Sequence, residues 1–299
     1  MLKDKLEIII PTYNRAEKLK TTLEQLLTSP VKDVNITILD NNSNDNTESV
    51  VSSFKRNNLK YIKRNRNVGA NANVAFAYEL AQKQYLWVLC DDDSFNFDSW
   101  DEVEDAMNRN QEMIMVAKYA LSDNPKPVNI LVQATFVPSM ILNTKLLDDT
   151  VLRNIYDNIY TMYPQMVPIC MAYNEGKKIH MIRGADIVLN GNDYGKSIVV
   201  LDYNENYYRG ANSERLYFKN KTMSQLIGLL NACSILKDAH IKEQLAGLGI
   251  KGAVQLLFKS PEHLTYFADL WINFNKKQKL KVLMAMLKPI NLLKLWNKK

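Results

Sequence analysis

Three adjacent carboxylates, Asp91, Asp92 and Asp93, close the apolar run Tyr85–Cys90 (YLWVLC). Carboxylates packed this closely beside a buried strand repel one another, and each holds its proton more tightly unless something neutralises the group. A hard divalent cation does so and prefers oxygen ligands. With diphosphate oxygens completing its shell, such an ion stabilises a departing nucleoside diphosphate. The plainer alternative is a solvated turn or helix cap, although the next helix has cap residues of its own in Ser99 and Glu102. Three more polar clusters follow apolar runs. After Leu6–Ile10, Pro11 stops a strand, Tyr13 offers a flat face to a base, and Asn14 can cap a helix before Arg15. After Asn35–Leu39, Asp40 stands where a carboxylate can accept the N3–H of uracil or thymine, with Asp45 as a helix cap. After Leu59–Ile62, the stretch Arg64-Asn65-Arg66-Asn67-Val68-Gly69 can bring positive charge and bare backbone to phosphate or ribose. Each cluster alone reads as turn chemistry. All four after successive strands point to one site.

The elements that must position them alternate in type. Leu6–Ile10, Asn35–Leu39, Leu59–Ile62 and Tyr85–Cys90 are short apolar or β-branched runs, read as buried parallel strands, the last one central. Between them lie helical patterns. Asn14 with Glu17, Asp45 with Glu48, and Ser99 with Glu102 are each spaced as a capping box. Ala16, Leu19, Leu23, Leu26 and Leu27 make one apolar stripe, and Val74, Ala77, Tyr78 and Ala81 another within Ala70–Gln82. Strand–helix units repeated in this way imply a parallel sheet, with ligands beyond the carboxyl ends of its strands. Further on, Met113–Val116, Ile130–Val137, Ile179–Ile182 and Ile198–Leu201 read as strands. Leu146–Tyr160 and Pro164–Glu175 read as helices, the second with proline in its first turn. After about residue 214 only helical patterns remain: Thr222–Leu236, His240–Phe258 and Pro261–Phe274.

Composition narrows the classes. The 299 residues are 46% hydrophobic and 23% charged, which suits a globular α/β domain with a smaller appendage and excludes a wholly disordered chain. Three scattered cysteines and three scattered histidines give neither a disulfide framework nor a zinc clip, and fit a reducing cytosol. No run approaches the ~20 apolar residues of a membrane span, and the opening MLKDKLEIIIP carries no signal-peptide core. The net charge of +6 is uneven: eight lysines and no acid lie in residues 276–299. A near-neutral body with a basic tail is not the pattern of a nucleic-acid binder.

The segments IIIPTYNR, LDNNSNDNT, NRNVG and WVLCDDDS, in this order and spacing, resemble the nucleotide-sugar-binding half of an inverting family 2 glycosyltransferase with the GT-A fold. The resemblance covers residues 6–95, about a third of the chain. The form WVLCDDD with a later PSMILN is similar to bacterial enzymes that build O-antigen, capsule or teichoic-acid glycans. It implies a donor pocket in which Pro11, Tyr13 and Asp40 line the base, Asn67 helps hold the nucleoside, and Asp91 lies near ribose or donor sugar. It further implies Asp92 at the donor sugar and Asp93, with Asp91, holding Mg²⁺ or Mn²⁺. One departure is Ala72, where the family often has an arginine before the asparagine matched by Asn73; Lys63, Arg64 or Arg66 would then supply the charge.

An inverting displacement needs a base to take the acceptor's proton. The family usually has an aspartate in an acidic pair opening a helix, whereas this chain reads Tyr163-Pro164-Gln165 there. Asp157 is the candidate, with Asp148, Asp149 and Asp193 as alternatives; a solvated helix carboxylate is its plainer reading. The Gly/Asn-rich loop 184–196, with Lys196, either closes over the diphosphate or is an ordinary connection. The tail LKVLMAMLKPINLLKLW either lies on an anionic membrane surface or packs on the body or a partner subunit.

The expected molecule is a cytoplasmic, metal-dependent, inverting glycosyltransferase, peripheral at the inner membrane face. It takes a nucleoside-diphosphate sugar, UDP-linked in expectation, and a growing glycan or lipid-linked acceptor, without nucleic acid and with oligomerisation through its helical end. Residues 1–213 form the GT-A domain, with a donor half 1–97 and an acceptor half 98–213, and 214–299 a helical, lysine-rich region. Two rivals are a non-catalytic sugar-nucleotide-binding scaffold and a nucleotidyltransferase. The latter would open with a glycine-rich loop that PTYNR does not provide.

Overall fold

In the computed structural model, residues 1–117, 121, 125–161, 163–189, 231, 233–245, 271 and 276–286 are described. In chain order the elements are α1 (Leu2–Lys5), β1 (Leu6–Thr12), α2 (Ala16–Leu26), β2 (Asn35–Asp40), α3 (Thr47–Ser53), β3 (Leu59–Lys63), α4 (Ala70–Glu79), β4 (Tyr85–Val88), β5 (Ser94–Phe95), α5 (Trp100–Asn108) and β6 (Met113–Met115). They continue with α6 (Pro127–Gln133), β7 (Met140–Asn143), α7 (Asp149–Asp157), α8 (Met166–Asn174), β8 (Ile179–Met181), β9 (Val188–Leu189) and α9 (Lys276–Met286).

The main sheet has seven strands in the order β3-β2-β1-β4-β7-β6-β8. β3, β2, β1 and β4 run parallel, while β7 is antiparallel to both its neighbours. This is the α/β, mostly parallel sheet flanked by helices that the alternation of patterns implies. Strand side chains alternate between faces, and this alternation sorts the core. Ile8 and Ile10 of β1 and Tyr85 and Trp87 of β4 join the layer under α2, α3 and α5. Ile9, Leu86 and Val88 join the layer under α4, α6, α7 and α8. Buried on both faces, these strands need no polar side, and their sequences show none. Burying each large aliphatic side chain is worth about 1.5–3 kcal/mol. That packing holds helices as short as α3, which at seven residues is below the ~12–15 an isolated helix needs.

Three expectations are corrected here. Pro11 does not stop the first strand: β1 runs through it to Thr12, in register with Leu39 and Asp40 of β2. The run 130–137 is not a strand: α6 occupies its first half, with Pro127 at the helix's first position and Val128 and Leu131 buried on one face. An apolar run fits either period. The proline at N1, where its missing N–H costs nothing, decides for helix. The second helix begins at Met166 with Gln165 as N-cap, so Pro164 precedes it. The expected strand 198–201 lies outside the described residues, as do most of the expected helices 222–236, 240–258 and 261–274; within them, 233–235 forms a 3₁₀ turn. The expected boundary near residue 213 also falls outside.

None of the three capping boxes forms. α2 is capped by Arg15, α3 by Asn46 and α5 by Ser99, without a side-chain capping bond in any case. The polar side chains reach across to other loops instead. Glu102 accepts Arg183 N (2.6 Å) and Gly184 N (2.8 Å), which fixes the chain entering β9. β9 pairs antiparallel with β5, which directly follows the acidic triplet. Gly184 is required at this approach, because a Cβ there would lie 2.1 Å from Ser99 Oγ.

Candidate active site

The parallel register places Thr12 of β1 beside Asp40 of β2, and Asp40 beside Lys63 of β3. The ladder continues into the loops through Asn41 N to Thr12 O (2.9 Å), Arg64 N to Asp40 O (2.8 Å) and Leu89 N to Ile9 O (3.0 Å). The segments 12–16, 40–47, 63–69 and 89–93 therefore leave the sheet at one edge.

Asp91 and Asp93 are each 4% exposed, while Asp92 faces solvent. Thr12 Oγ1 donates to Asp91 Oδ2 (2.6 Å), and Arg15 Nη1 bridges Asp91 Oδ1 (3.0 Å) and Asp92 Oδ2 (2.8 Å). Lys18 Nζ approaches Asp92 at 3.5 Å. Thr22 Oγ1 lies within 3.1 Å of Asp91 O and 3.3 Å of Asp93 O, holding the turn from below. Asp93 Oδ2 accepts Cys90 N (3.1 Å). Burial pushes the Asp91 carboxyl up, and Arg15 opposes the shift. Burial, then the charge of Asp92, pushes Asp93 well above the usual carboxylate range. Burial and the three carboxylates likewise raise the Cys90 thiol.

Among the described residues, the ion pairs of this triplet reach Asp91 and Asp92 only. Asp93 is thus a buried acid beside charges of its own sign. A divalent cation would relieve that arrangement, and the all-oxygen donor set fits a hard one. Among the described residues no three acidic, histidine or cysteine side chains form a ready-made cage. The protein would supply one or two carboxylates, with water and substrate oxygens completing the shell, as is usual for Mg²⁺.

On the side expected to take a base, Asp40 is fully buried. Its Oδ1 accepts Ser43 N (2.9 Å) and Ser43 Oγ (2.5 Å), and its Oδ2 accepts the Tyr61 hydroxyl. Burial and this bond raise the Tyr61 phenol. Asp40 thus lies beneath the loop, ordering it from inside. Asn67 Oδ1 accepts Asn41 Nδ2 (2.7 Å) and Gly69 N (2.8 Å), and Asn41 Oδ1 accepts Val68 N (3.0 Å). Gly69 has φ 89°, which favours glycine at this bend. Pro11 and Tyr13 are half-buried at the mouth. Asn14, at φ 53°, donates its N–H to Ser43 Oγ (2.8 Å) and accepts Asn44 N on its side chain (2.8 Å). Asp45 accepts Ala16 N (3.0 Å) and Thr47 N (3.1 Å). These bonds sew loop 12–16 to loop 40–47.

Of the three cations expected to stand in for an arginine at Ala72, Arg64 turns onto α4. Its Nε donates to Asn73 Oδ1 (3.0 Å), and its guanidinium lies 4.1 Å from the Phe76 ring centroid. Lys63 faces Glu48 at 3.7 Å. Arg66 is exposed.

On the side expected to take the acceptor, Asp157 is the exposed last residue of α7. Asn71 Nδ2 donates to Ile159 O (2.8 Å), bringing that end of α7 to the start of α4, on the rim of the site. Asp148 is used as the N-cap of α7, accepting Val151 N (2.8 Å), and Asp149 is exposed in the first turn. Gln165, in the slot without a carboxylate, is buried. Its Nε2 donates to Thr135 O (2.6 Å), and its Oε1 has no partner among the described residues. Asp193, Lys196 and the rest of the loop beyond residue 189 lie outside the described residues.

Sequence reasoning missed Thr12, Thr22, Asn41, Ser43 and the bridging role of Arg15. Thr22 carried a signal: it is a polar residue beside Leu19 and Leu23 on the buried face of α2. Ser43 carried one too, standing three residues after the Asp40 carboxylate that it bonds; Thr12, Asn41 and Arg15 depend on loops distant in sequence and left none.

Residues 7–173 match the model of the family described as Glycosyl transferase family 2. A GalNAc(5)-diNAcBac-PP-undecaprenol β-1,3-glucosyltransferase of Campylobacter jejuni is 33% identical over 92 residues, 30% of this chain and 30% of that enzyme. The chain therefore matches less than a third of that relative's length. The poly(ribitol-phosphate) β-N-acetylglucosaminyltransferase TarP of Staphylococcus aureus is 22% identical over 262 residues, 81% of this chain and 77% of TarP. Among solved structures, a mannosyltransferase of Pyrobaculum calidifontis, in complex with GDP-Man and Mn²⁺, superposes with a TM-score of 0.54 at 12% identity, over 99% of this chain and 88% of that one. That likeness is one of fold.

Proposed function

The chain belongs to glycosyl transferase family 2, and from that premise we propose that it transfers a sugar, with inversion, from a nucleoside-diphosphate sugar to a cell-surface glycan or a lipid-linked acceptor. The observation that carries the reading is the triplet itself. Asp93 is buried and without a cationic partner among the described residues, at the carboxyl end of a central parallel strand. Pro11, Tyr13, Asp40 and Asn67 form the base pocket. Asp40 acts by ordering the 40–47 loop, and UDP is the proposed nucleotide. Thr12 and Arg15 hold Asp91 toward ribose and sugar, and Asp92 contacts the sugar. Mg²⁺ or Mn²⁺ at Asp93 and Asp91, when bound, neutralises charge on the departing diphosphate. The acceptor oxygen bonds to the anomeric carbon as the bond to the diphosphate oxygen breaks, and the acceptor's proton passes to Asp157. Residues 1–97 serve the donor and 98–213 the acceptor.

The test is release of nucleoside diphosphate from UDP-glucose, UDP-N-acetylglucosamine and GDP-mannose, with and without Mn²⁺ and with glycan acceptors. Mn²⁺-dependent release that acceptor accelerates supports the reading. Tight donor binding without release from any donor would favour a non-catalytic sugar-nucleotide-binding protein, the reading that the amide of Gln165 in the base slot keeps open. Within this assay Asp157→Asn is expected to lower kcat by about 10²-fold or more at unchanged donor affinity. An unaltered kcat would move the base elsewhere.

The proposal extends to the inner membrane face. No described helix is long and apolar enough to cross a membrane. α9, however, leaves Leu280, Leu283 and Met284 exposed at i, i+3 and i+4 among lysines, the makeup of a helix lying in the headgroup region of anionic lipid. The double variant L280D/L283D should reduce co-sedimentation with phosphatidylglycerol-containing liposomes. An unchanged bound fraction would make this face a packing surface.

A further inference from the structure

Apart from Met1 and the α9 side chains, the large apolar residues exposed among the described residues are Tyr160, at 57%, and Val68, at 36%. A lone surface aromatic calls for no explanation; these two are not placed at random. Val68 stands two residues before α4, and Tyr160 directly follows Ile159, whose carbonyl is bonded to Asn71 in the first turn of α4. Both therefore flank one helix start, at the sheet edge where the four loops emerge.

The turn that carries Tyr160 is hydrogen-bonded internally. Thr161 is fully buried, its N–H (3.0 Å) and Oγ1 (2.7 Å) both reach Asn158 O, and Thr161 Oγ1 in turn accepts Tyr163 N (3.2 Å). Asn158 Nδ2 is tied back to Asn154 O (2.8 Å). The ring is thus held out by a built support rather than by a frayed loop. Exposed Asp157 precedes it by three residues, and exposed Asn65 and Arg66 belong to the loop of Val68. A pyranose presents an apolar C–H face and a rim of hydroxyls. An aromatic plate bordered by a carboxylate, an amide and a guanidinium matches both parts.

We propose that Tyr160 is the stacking platform of a saccharide subsite, bordered by Val68, Asp157, Asn65 and Arg66, that holds a sugar ring of the acceptor. The proposal rests on the glycosyl-transfer reading above, and it predicts binding that can be measured without turnover. The probes are methyl β-glucoside and methyl β-N-acetylglucosaminide, added to the full-length protein with saturating UDP and followed by saturation-transfer NMR. In wild-type protein, transfer should concentrate on the C–H protons of one ring face. Tyr160→Ala should weaken binding about five- to tenfold, and Tyr160→Phe should restore most of it. Equal affinity in Tyr160→Ala and wild type, or no transfer to either glycoside in wild type, overturns the subsite. UDP binding in the same samples separates the two readings. Its absence from wild type would sink the donor assignment, while a loss of sugar binding confined to Tyr160→Ala bears on the subsite alone.

Discussion

Asp93→Ala is expected to remove cation-dependent turnover, by about 10³-fold, or about 4 kcal/mol of transition-state stabilisation, and to leave the protein folded. The two halves of this expectation have one cause. Asp93 is buried beside like charges, so its carboxyl ionises reluctantly, and the native state keeps its proton to a higher pH than the unfolded chain does. Its contribution to stability is therefore greatest below the unfolded value of about 4 and is lost as pH rises through the raised folded value. Deleting the carboxylate removes that penalty and gives up one acceptor for Cys90 N, so the net change at neutral pH is small. Asp93→Asn keeps an oxygen for Cys90 N and should be equally inactive. Thermal unfolding with and without Mn²⁺ supplies the second readout. A cation that binds the native state raises the Tm of wild type and should leave both variants unmoved. Wild-type rates in either variant, or an equal Mn²⁺ shift, would remove Asp93 from the metal site.

What the sequence could and could not show follows from how far apart the interacting groups lie. Strands β1 and β4 were legible because burial on both faces leaves a nearly continuous apolar run, β2 because residues 36 to 38 are β-branched, and the triplet because three adjacent carboxylates repel one another at the end of a buried strand. The capping boxes misled for a physical reason. Asn14, Asp45 and Glu102 stand at spacings that suit a local cap, but in the fold each lies within reach of N–H groups on another loop and bonds them, Asp45 while also accepting the local Thr47 N. Spacing along the chain carries no record of that competition. The same holds for Arg15, whose two carboxylate partners lie 76 and 77 residues away. Its position at the end of α2, facing the loop after β4, is a product of packing. The apolar run 130–137 was ambiguous between periods, and only Pro127, three residues upstream, favoured the helix that forms.

Arg15 also explains why the triplet is poised rather than merely crowded. One guanidinium nitrogen serves both Asp91 and Asp92, and Thr12 takes the remaining oxygen of Asp91. Two of the three acids are thus compensated within the protein. The third, Asp93, has no cationic partner among the described residues, and the same Arg15 sits on the loop that Ser43 ties to Asp40. The 40–47 loop and the acid triplet are therefore one bonded unit, so a change on either side is felt at the other.

That unit stands on an aromatic floor, and Trp87→Ala is expected to cost about 3–5 kcal/mol of stability, a large part of the 5–15 kcal/mol available to a typical domain. Trp87 is fully buried in β4. Its ring stacks on Trp100 with centroids 5.7 Å apart and meets the edge of Phe95 at 5.9 Å. Phe97 closes the cluster against both Phe95 and Trp100. The indole N–H donates to Pro138 O (2.9 Å), which joins β4 to the turn before β7. Trp87→Phe should therefore cost less, chiefly the buried carbonyl left without its donor, about 1–3 kcal/mol. Equilibrium unfolding in urea measures both, and a loss below about 1 kcal/mol for alanine would mean that the cluster is not what holds β4. The functional consequence follows from chain order. Phe95 comes two residues after Asp93, so removing its edge partner frees the exit of the triplet, and donor affinity should fall even well below the Tm, where the protein remains folded.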